Sequence, residues 1–180
     1  MPEYKLTYFN LPGRAEAARQ ILAYAGVDFV DHRIPRSDFP EIRKTMPFGK
    51  IPVLEVDGEL IPESSAIMRY LAKQFGLAGK TDIDAAWVDA LVDQYQQYHD
   101  EYLKYFFVHV GVNKGDEEAV KKEFCEPARD KFFPLLVAQL KKTGSGFLVG
   151  DSLTFVDLLI AEHVDILHKV FPGFLDEFSE

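Results

Sequence analysis

The sequence has very little cysteine: Cys125 is the single cysteine among 180 residues. One thiol cannot form an intrachain disulfide, a dithiol redox pair or a thiolate metal cage, which argues against a thioredoxin-type redox protein. If this protein uses thiol chemistry, a ligand has to bring the thiol.

Positive charge is also scarce, with 20 Lys and Arg against 29 Asp and Glu and a formal net charge of −9. Nucleic-acid binding depends on clustered cations, so a nucleic-acid partner is disfavoured. Apolar runs such as FFPLLVAQL at 132–140 are far short of the ~18 residues that a bilayer crossing needs. The start MPEYK has no apolar signal region. The sequence therefore predicts no membrane partner and a cytoplasmic location.

The first 75 or so residues alternate strand-like and helical patterns. In chain order they predict a strand, a helix, a parallel strand, a strand pair around an Asp-Gly hairpin signal, and a helix. The corresponding stretches are 4–9, 13–26, 28–34, 51–61 and 64–76. A βαβ unit followed by ββα is the expected order.

Everything after about residue 82 has helical periodicity. Residues 87–110 predict one long helix, and 116–142 predict a second that Pro127 and Pro134 kink or break. Residues 151–168 begin a further helix with a T-x-x-D capping pattern. Because 77–81 has linker composition, the predicted domains are 1–76 and 82–180.

Four segments together resemble the glutathione S-transferases: YFNLPGRAE (8–16), PFGKIPVLEVDG (47–58), ESSAIMRYLA (63–72) and GFLVGDSLTFVDLLIAE (146–162). The early tyrosine and the GRAE start are most similar to the sigma class, which includes haematopoietic prostaglandin D synthase and invertebrate transferases. The resemblance implies an α/β plus all-α protein, with an N-terminal thioredoxin-like domain and a C-terminal helical bundle. It also implies a homodimer that uses glutathione as co-substrate.

The resemblance makes Tyr8 and Arg14 the catalytic candidates. The thiol of glutathione has a pKa near ~8.5, so little of it is thiolate at neutral pH. A tyrosine hydroxyl that donates to the sulfur, in a bond worth roughly 1.5–3 kcal/mol, lowers this pKa by about one to two units. Arg14 would add a favourable positive charge. Taken alone, Tyr8 also fits a core tyrosine with a wet hydroxyl.

By resemblance, glutathione also contacts a larger set of residues. Ile51 would pair its main chain with the cysteinyl unit before a cis Pro52, Ser64 and Glu63 would hold the γ-glutamyl end, and Arg43 would meet the glycyl carboxylate. The predicted set is Tyr8, Phe9, Arg14, Phe39, Arg43, Gly49, Lys50, Ile51, Pro52, Glu63 and Ser64.

Three departures from the sigma pattern concern ligand affinity and metal binding. Phe39 stands where those enzymes carry Trp, so one N–H donor is missing. Glu63 replaces the usual Gln. In DQYQQY, Asp93 is kept but Gln96 and Gln97 replace carboxylates, and neutral amides are poor ligands for Mg²⁺ or Ca²⁺. The sequence predicts no metal activation.

The electrophile-binding candidates are Phe9, His99, Tyr102 and Leu103. The sequence stops at LDEFSE, where the resembled enzymes continue through another helix and tail, so we expect a shortened wall around the electrophile. The leading hypothesis is conjugation of glutathione to small hydrophobic electrophiles. The alternatives are a catalytically weak, S-crystallin-like structural or ligand-carrying protein and a glutathione-dependent prostaglandin isomerase.

Overall fold

The computed structural model describes residues 2–178 as two compact units, each made of two stretches of chain. Within the described range, the first unit contains residues 2–78 and 153–166, and the second contains 79–152 and 167–178. The predicted domains, 1–76 and 82–180, are contiguous stretches and stay a prediction.

The first unit is built on a four-stranded mixed sheet with the order β2-β1-β3-β4. Its strands are β1 (Tyr4–Phe9), β2 (Phe29–Ile34), β3 (Val53–Val56) and β4 (Glu59–Pro62). β1 and β2 are parallel, whereas β3 runs antiparallel to both β1 and β4. This is the predicted βαβ-ββα order, because the β1–β2 connection contains a helix and the β3–β4 connection is a tight turn.

The turn between β3 and β4 explains why these strands pair so closely. Asp57 and Gly58 have φ values of +50° and +92°. Two successive positive φ values are typical of the hairpin turns whose twist matches that of the flanking strands, and an Asp-Gly pair tolerates them best. The hairpin predicted from the sequence is therefore present.

The helices of the first unit are α1 (Glu16–Tyr24), the short α2 (Phe39–Ile42) and α3 (Ser64–Phe75). A 3₁₀ turn at Gly13–Ala15 precedes α1, and Gly76 ends α3 in the left-handed conformation. α1 and α3 pack against each other. Their apolar side chains join those of β1 and β3 in a fully buried core that includes Leu6, Ile21, Leu22, Leu54, Ile67 and Leu71.

The second unit is helical, with α4 (Asp82–His109), α5 (Glu117–Val120) and α6 (Glu126–Thr143). Its core is rich in aromatic rings. Tyr98 stacks on Phe132 with a ring-centroid distance of 4.8 Å and an interplanar angle of 8°. A last helix, α7 (Phe155–Val170), has residues 155–166 in the first unit and 167–170 in the second.

A π turn at Lys121–Cys125 joins α5 to α6. There the Glu126 N–H donates to the Lys121 carbonyl, five residues earlier. Pro127 has no N–H and its ring would crowd the carbonyl four residues before it, so a wider turn accommodates it. The predicted interruption is present at this point, whereas α6 continues through Pro134.

The fold class predicted from the sequence is confirmed: a thioredoxin-like unit with a mixed four-stranded sheet accompanies a helical unit. None of the helices formed by residues 2–178 combines the length and the apolar character that a bilayer crossing requires.

Candidate active site

The first unit contains a cavity of about 510 Å³ beside the carboxyl end of β1 and the start of α3. Its size lies within the roughly 300–1,000 Å³ that is typical of small-molecule sites. The residues that line it are Phe9, Arg14, Phe39, Arg43, Gly49, Lys50, Ile51, Pro52, Pro62, Glu63 and Ser64. Every predicted glutathione-binding residue except Tyr8 is in this set, and Pro62 is added.

Tyr8 lies directly behind the cavity wall. Its side chain is only 9% exposed, and its hydroxyl oxygen accepts a hydrogen bond of 3.4 Å from the backbone N–H of Arg14, which lines the cavity. Since the phenol oxygen accepts this bond, its own proton is available for another acceptor.

Gly13 makes the close approach of loop and phenol possible. Its φ is +49°, and a Cβ at this position would lie 2.9 Å from the Tyr8 hydroxyl oxygen and 2.8 Å from Leu11 Cδ1. Both the conformation and the missing side chain therefore require glycine. The Pro-Gly-Arg sequence after β1 thus places Arg14 against the Tyr8 hydroxyl.

The charged groups in the cavity wall are mostly cations. Arg14, Arg43 and Lys50 are basic, and Glu63 is the acidic residue in the lining. Arg43 and Lys50 are exposed, whereas Arg14 is half-buried. Such a set suits a ligand that carries more than one carboxylate together with an ammonium group.

The start of α3 lines one end of the cavity. Ser64 is the first residue of the helix and is 7% exposed. The first N–H groups of a helix lack intrahelical partners and carry the positive end of its dipole. Glu63, immediately before it, has a φ of +68°, a strained conformation for a residue with a side chain.

The peptide bond between Ile51 and Pro52 is cis, as predicted. Ile51 is half-buried and Pro52 is buried, and both line the cavity. Gly49, two residues earlier, has a φ of +60° and approaches the Arg43 side chain. The loop before β3 therefore forms one wall of the cavity with its main chain.

An aromatic pair forms another wall. Phe39, the first residue of α2, meets Phe9 edge to face with a ring-centroid distance of 5.2 Å. Guanidinium carbons lie near both rings: that of Arg43 is 5.9 Å from the Phe39 centroid, and that of Arg36 is 5.7 Å from the Phe9 centroid. Phe39 supplies apolar surface here and no N–H donor.

The electrophile-binding candidates are divided between the units. Phe9 belongs to the first unit, and His99, Tyr102 and Leu103 belong to α4 in the second. Tyr102 is buried and stacks on Tyr98 and Phe106, whereas His99 and Leu103 are half-buried. Their role in electrophile binding stays a prediction.

A second cavity, of about 580 Å³, lies within the second unit between α4 and the start of α6. Gln97 lines it together with Asp100, Glu101 and Glu123. Over residues 2–178, no three His, Cys, Asp or Glu side chains are grouped in a way that could hold a metal ion. The predicted lack of metal activation stays a prediction, because it concerns the effect of a divalent cation on the rate and is measured in an activity assay.

Sequence reasoning missed Pro62, which lines the first cavity, and Arg36, whose guanidinium group lies near the Phe9 ring. Pro62 ends β4 directly before Glu63, so its place next to the ESSA motif was a usable signal. Arg36 lies on an irregular segment between β2 and α2. A lone arginine in such a segment is typical of any exposed loop and gave no signal.

Comparison with known proteins identifies the family. A model of the glutathione S-transferase N-terminal domain matches residues 4–73, and a model of the C-terminal domain matches residues 87–180. The chain is 47% identical over 180 residues to "Probable glutathione S-transferase 7" of Caenorhabditis elegans. The matched region covers 100% of this chain and 87% of that protein.

Solved structures agree with the sequence match. A Nu-class enzyme from Haemonchus contortus is 46% identical with a TM-score of 0.90, covering 99% of this chain and 86% of that chain. The monomeric Na-GST-3 of Necator americanus is 44% identical with a TM-score of 0.90, covering 96% and 86%. Prostaglandin synthase D of Nilaparvata lugens is 30% identical with a TM-score of 0.87, covering 98% and 87%. The chain therefore belongs to the glutathione S-transferase family of enzymes.

Proposed function

We propose that this enzyme transfers glutathione to small hydrophobic electrophiles and that the Tyr8 hydroxyl stabilises the thiolate. The observation that carries the proposal is the first cavity, which is lined by all but one of the residues predicted to bind glutathione. The Tyr8 hydroxyl oxygen accepts a hydrogen bond from the N–H of Arg14, a residue that lines this cavity. No cysteine lines this cavity, so the reacting sulfur comes with the ligand.

Charge supports glutathione as the ligand. Glutathione carries two carboxylates, one ammonium group and a thiol, and the cavity offers Arg14, Arg43 and Lys50 with one carboxylate at Glu63. We assign the γ-glutamyl carboxylate to the helix start at Ser64 and the ammonium group to Glu63. The glycyl carboxylate goes to Arg43 and Lys50. Losing the thiol proton adds negative charge, which the remaining cation, Arg14, favours.

In the proposed reaction the thiol proton leaves to solvent and the Tyr8 O–H donates to the thiolate. The sulfur lone pair then forms a C–S bond with the electrophilic carbon. With a chloronitrobenzene, the C–Cl bond breaks and chloride leaves with the bonding pair. Tyr8 acts in this reaction as a hydrogen-bond donor and is neither the nucleophile nor the base.

The decisive variant is Tyr8→Phe. A charge-assisted hydrogen bond worth roughly 1.5–3 kcal/mol corresponds to a fall in kcat/KM of about ten- to a hundredfold. We expect this loss in a spectrophotometric conjugation assay with glutathione and a chloronitrobenzene near neutral pH. The KM for glutathione should change by less than about threefold, because the other contacts remain.

Tyr4→Phe is the matched control for this assay. Tyr4 is also a buried tyrosine of β1, but it is not among the cavity residues, and its hydroxyl interacts with Tyr70. Its removal should leave kcat/KM close to that of the unaltered enzyme. Full activity in Tyr8→Phe would contradict the assignment of Tyr8 as the group that stabilises the thiolate, whatever the activity of Tyr4→Phe.

The second candidate function is a glutathione-dependent prostaglandin isomerase. It is favoured by the 30% identity to the prostaglandin synthase D of Nilaparvata lugens. A third, an S-crystallin-like structural or carrier role, is favoured by Phe39, which lacks an indole N–H. Turnover of a prostaglandin endoperoxide without conjugation would favour the isomerase, and glutathione binding without turnover of either substrate would favour the carrier.

Several finer assignments belong to the same proposal. We assign the chain to the sigma class from its early motifs, and we propose a cytoplasmic homodimer without metal activation. The Nu-class and monomeric structures among the similar proteins make class and oligomeric state direct subjects for experiment.

A further inference from the structure

Arg19 is an unusually buried arginine. It lies in α1 and is only 5% exposed. Arginine side chains are rarely buried unless they are paired and hydrogen-bonded, because removing the charge from water is costly. Its burial therefore has to be explained by what its guanidinium group binds.

The guanidinium group binds the main chain of the loop after β1. Arg19 Nη1 donates to the Leu11 carbonyl at 3.0 Å and to the Pro12 carbonyl at 3.3 Å. Both carbonyls lie between Tyr8 and Arg14 in the chain. The guanidinium carbon is also 6.0 Å from the centroid of the Tyr8 ring, so one side chain contacts both the loop and the phenol.

Two carboxylates hold this guanidinium group in place. Arg19 Nη1 lies 2.8 Å from Glu16 Oε2, which shares the two N–H groups of Nη1 with the loop carbonyls, and Nε donates to Asp31 Oδ1 at 3.0 Å. Burial opposes ionisation of Asp31, but hydrogen bonds from Arg33 and Arg19 prevail and lower the pKa of its carboxyl group. The planar, multi-donor geometry of arginine allows one side chain to bind a carboxylate and the loop carbonyls together.

The loop that Arg19 binds has little room to move. A Cβ on Gly13 would already collide with the Tyr8 hydroxyl oxygen at 2.9 Å, and the Arg14 N–H reaches that oxygen at 3.4 Å. A shift of the Leu11 and Pro12 carbonyls would move Gly13 and Arg14 relative to the phenol. Such a displacement changes the direction in which the phenol presents its proton.

We propose that Arg19 is a positioning residue: by binding the Leu11 and Pro12 carbonyls, it fixes the Tyr8 hydroxyl and the Arg14 N–H in the geometry that stabilises the thiolate. This inference rests on the proposed role of Tyr8. Arg19 acts through the loop and is not among the residues that line the cavity.

The test is Arg19→Lys, measured by the titration of glutathione bound to the enzyme. The ultraviolet absorbance of the thiolate is followed against pH to obtain the pKa of the bound thiol. Lysine keeps the charge, but its single nitrogen cannot serve both the carbonyls and Asp31. We expect the thiol pKa to rise by about half a unit to one unit and kcat/KM to fall about tenfold, with a change in the KM for glutathione below about threefold.

Arg33→Lys is the matched control. Arg33 also pairs with Asp31, at 2.7 Å, but its side chain is much more exposed and contacts Asn10 instead of the Leu11 and Pro12 carbonyls. The thiol pKa should be unchanged in this variant. If Arg19→Lys is soluble and its bound thiol has the original pKa, the inference is overturned, even where the melting temperature falls.

A milder variant covers the case in which Arg19→Lys does not fold. Asp31→Asn removes a carboxylate that orients Nε and keeps Arg19 itself, so a smaller rise in the thiol pKa supports the inference and no rise overturns it.

Tyr8→Phe separates this inference from the proposed function. If Tyr8→Phe leaves the thiol pKa unchanged, the proposed function fails; if it raises that pKa and the Arg19 and Asp31 variants do not, only the role of Arg19 fails.

Discussion

At the scale of single residues, Glu162 in α7 has a half-buried carboxylate. Its Oε1 atom is buried and has no hydrogen-bond partner within residues 2–178. Burial raises the pKa of this carboxyl group from 4.5 to about 7, and the negative charges of Glu16 and Asp165 act in the same direction. Folding therefore favours the protonated form of Glu162.

Replacing Glu162 with Gln should stabilise the protein more at pH 8 than at pH 5. Below pH 4.5 the carboxyl group is protonated in both states, and its contribution to stability is lost as pH rises from there through about 7. Because the group is partly exposed, we expect only about 1 kcal/mol at pH 8, or roughly 2–4 °C in the melting temperature.

Calorimetric or fluorescence melting at the two pH values measures this difference. The matched control is Glu59→Gln, which removes an exposed carboxylate from β4 of the same unit. A change in stability that depends on pH as strongly in Glu59→Gln would assign the effect to the loss of any carboxylate from this unit. An equal change for Glu162→Gln at pH 5 and pH 8 would show that the carboxyl group ionises as it does in water.

Cys125 is another buried group whose pKa is shifted. Burial raises the pKa of its thiol to about 12, so it supplies almost no thiolate near neutral pH. Its chemistry supports the conclusion that the reacting sulfur belongs to a bound ligand.

At the scale of elements, a Thr and an Asp three residues apart are hydrogen-bonded at the starts of α4 and α7, reciprocally at α4. At α4, Thr81 Oγ1 accepts from the Asp84 N–H at 3.1 Å while Asp84 Oδ2 accepts from the Thr81 N–H at 3.0 Å. Before α7, Asp157 Oδ2 accepts from both the N–H and the hydroxyl of Thr154, each at 2.8 Å. These bonds fix where each helix begins.

Thr81→Ala should destabilise the protein by about 1 kcal/mol, because one N–H at the start of α4 loses its side-chain acceptor. The melting temperature should fall by roughly 2–4 °C without loss of conjugating activity. Thr81→Ser keeps the oxygen and should resemble the unaltered protein. If Thr81→Ser lowers the stability as much as Thr81→Ala does, the effect comes from packing of the threonine methyl group.

The sequence predicted the elements whose signals are local. Alternation located β1, and the Asp-Gly pair located the β3–β4 hairpin. It also predicted the T-x-x-D start of α7, yet the same spacing at 81–84 went unused, and the predicted helix began at 87 instead of 82. Residues 82–86 read DIDAA, and their one large apolar side chain, Ile83, lies five residues before Val88 and does not continue the buried stripe, so periodicity gave no reason to extend the helix toward its cap.

The candidate site shows the same division between local and non-local signals. Most of the residues that the motifs marked line one cavity, because each motif lies at the end of a strand or the start of a helix. Arg19 was missed because its partners, Leu11 and Asp31, come from a loop and from another strand. An arginine within a helical sequence pattern predicts a position on the exposed face of the helix. The burial of Arg19 results from tertiary packing, which the pattern does not contain.

At the scale of the whole molecule, exposed aromatic surface supports association of two copies. Phe48, in the loop before β3, is 63% exposed, and Tyr24, at the end of α1, is 61% exposed. Phenylalanine has no polar tip to place in water, whereas the tyrosine hydroxyl does. Of these two side chains, Phe48 therefore gains more from being covered by a partner.

We expect the protein to elute and scatter light as a homodimer, at twice its chain mass of 20.5 kDa. Phe48→Ser should weaken this dimer about tenfold or more, since burying a phenylalanine is worth roughly 1.5–3 kcal/mol. Tyr24→Ser is the control and should leave the association unchanged. A monomer at micromolar concentration in the unaltered protein would contradict the homodimer.

The interrupted first unit has a consequence for the order of synthesis. Residues 79–152 separate its two stretches, and the Phe155 N–H of the later stretch donates to the Leu77 carbonyl at 2.9 Å. The ribosome completes the whole cavity lining long before it reaches residue 153. Because such units fold as a whole, the cavity reaches its final packing only after residues 153–166 have been synthesised. The first 78 residues alone therefore do not form a complete folded unit.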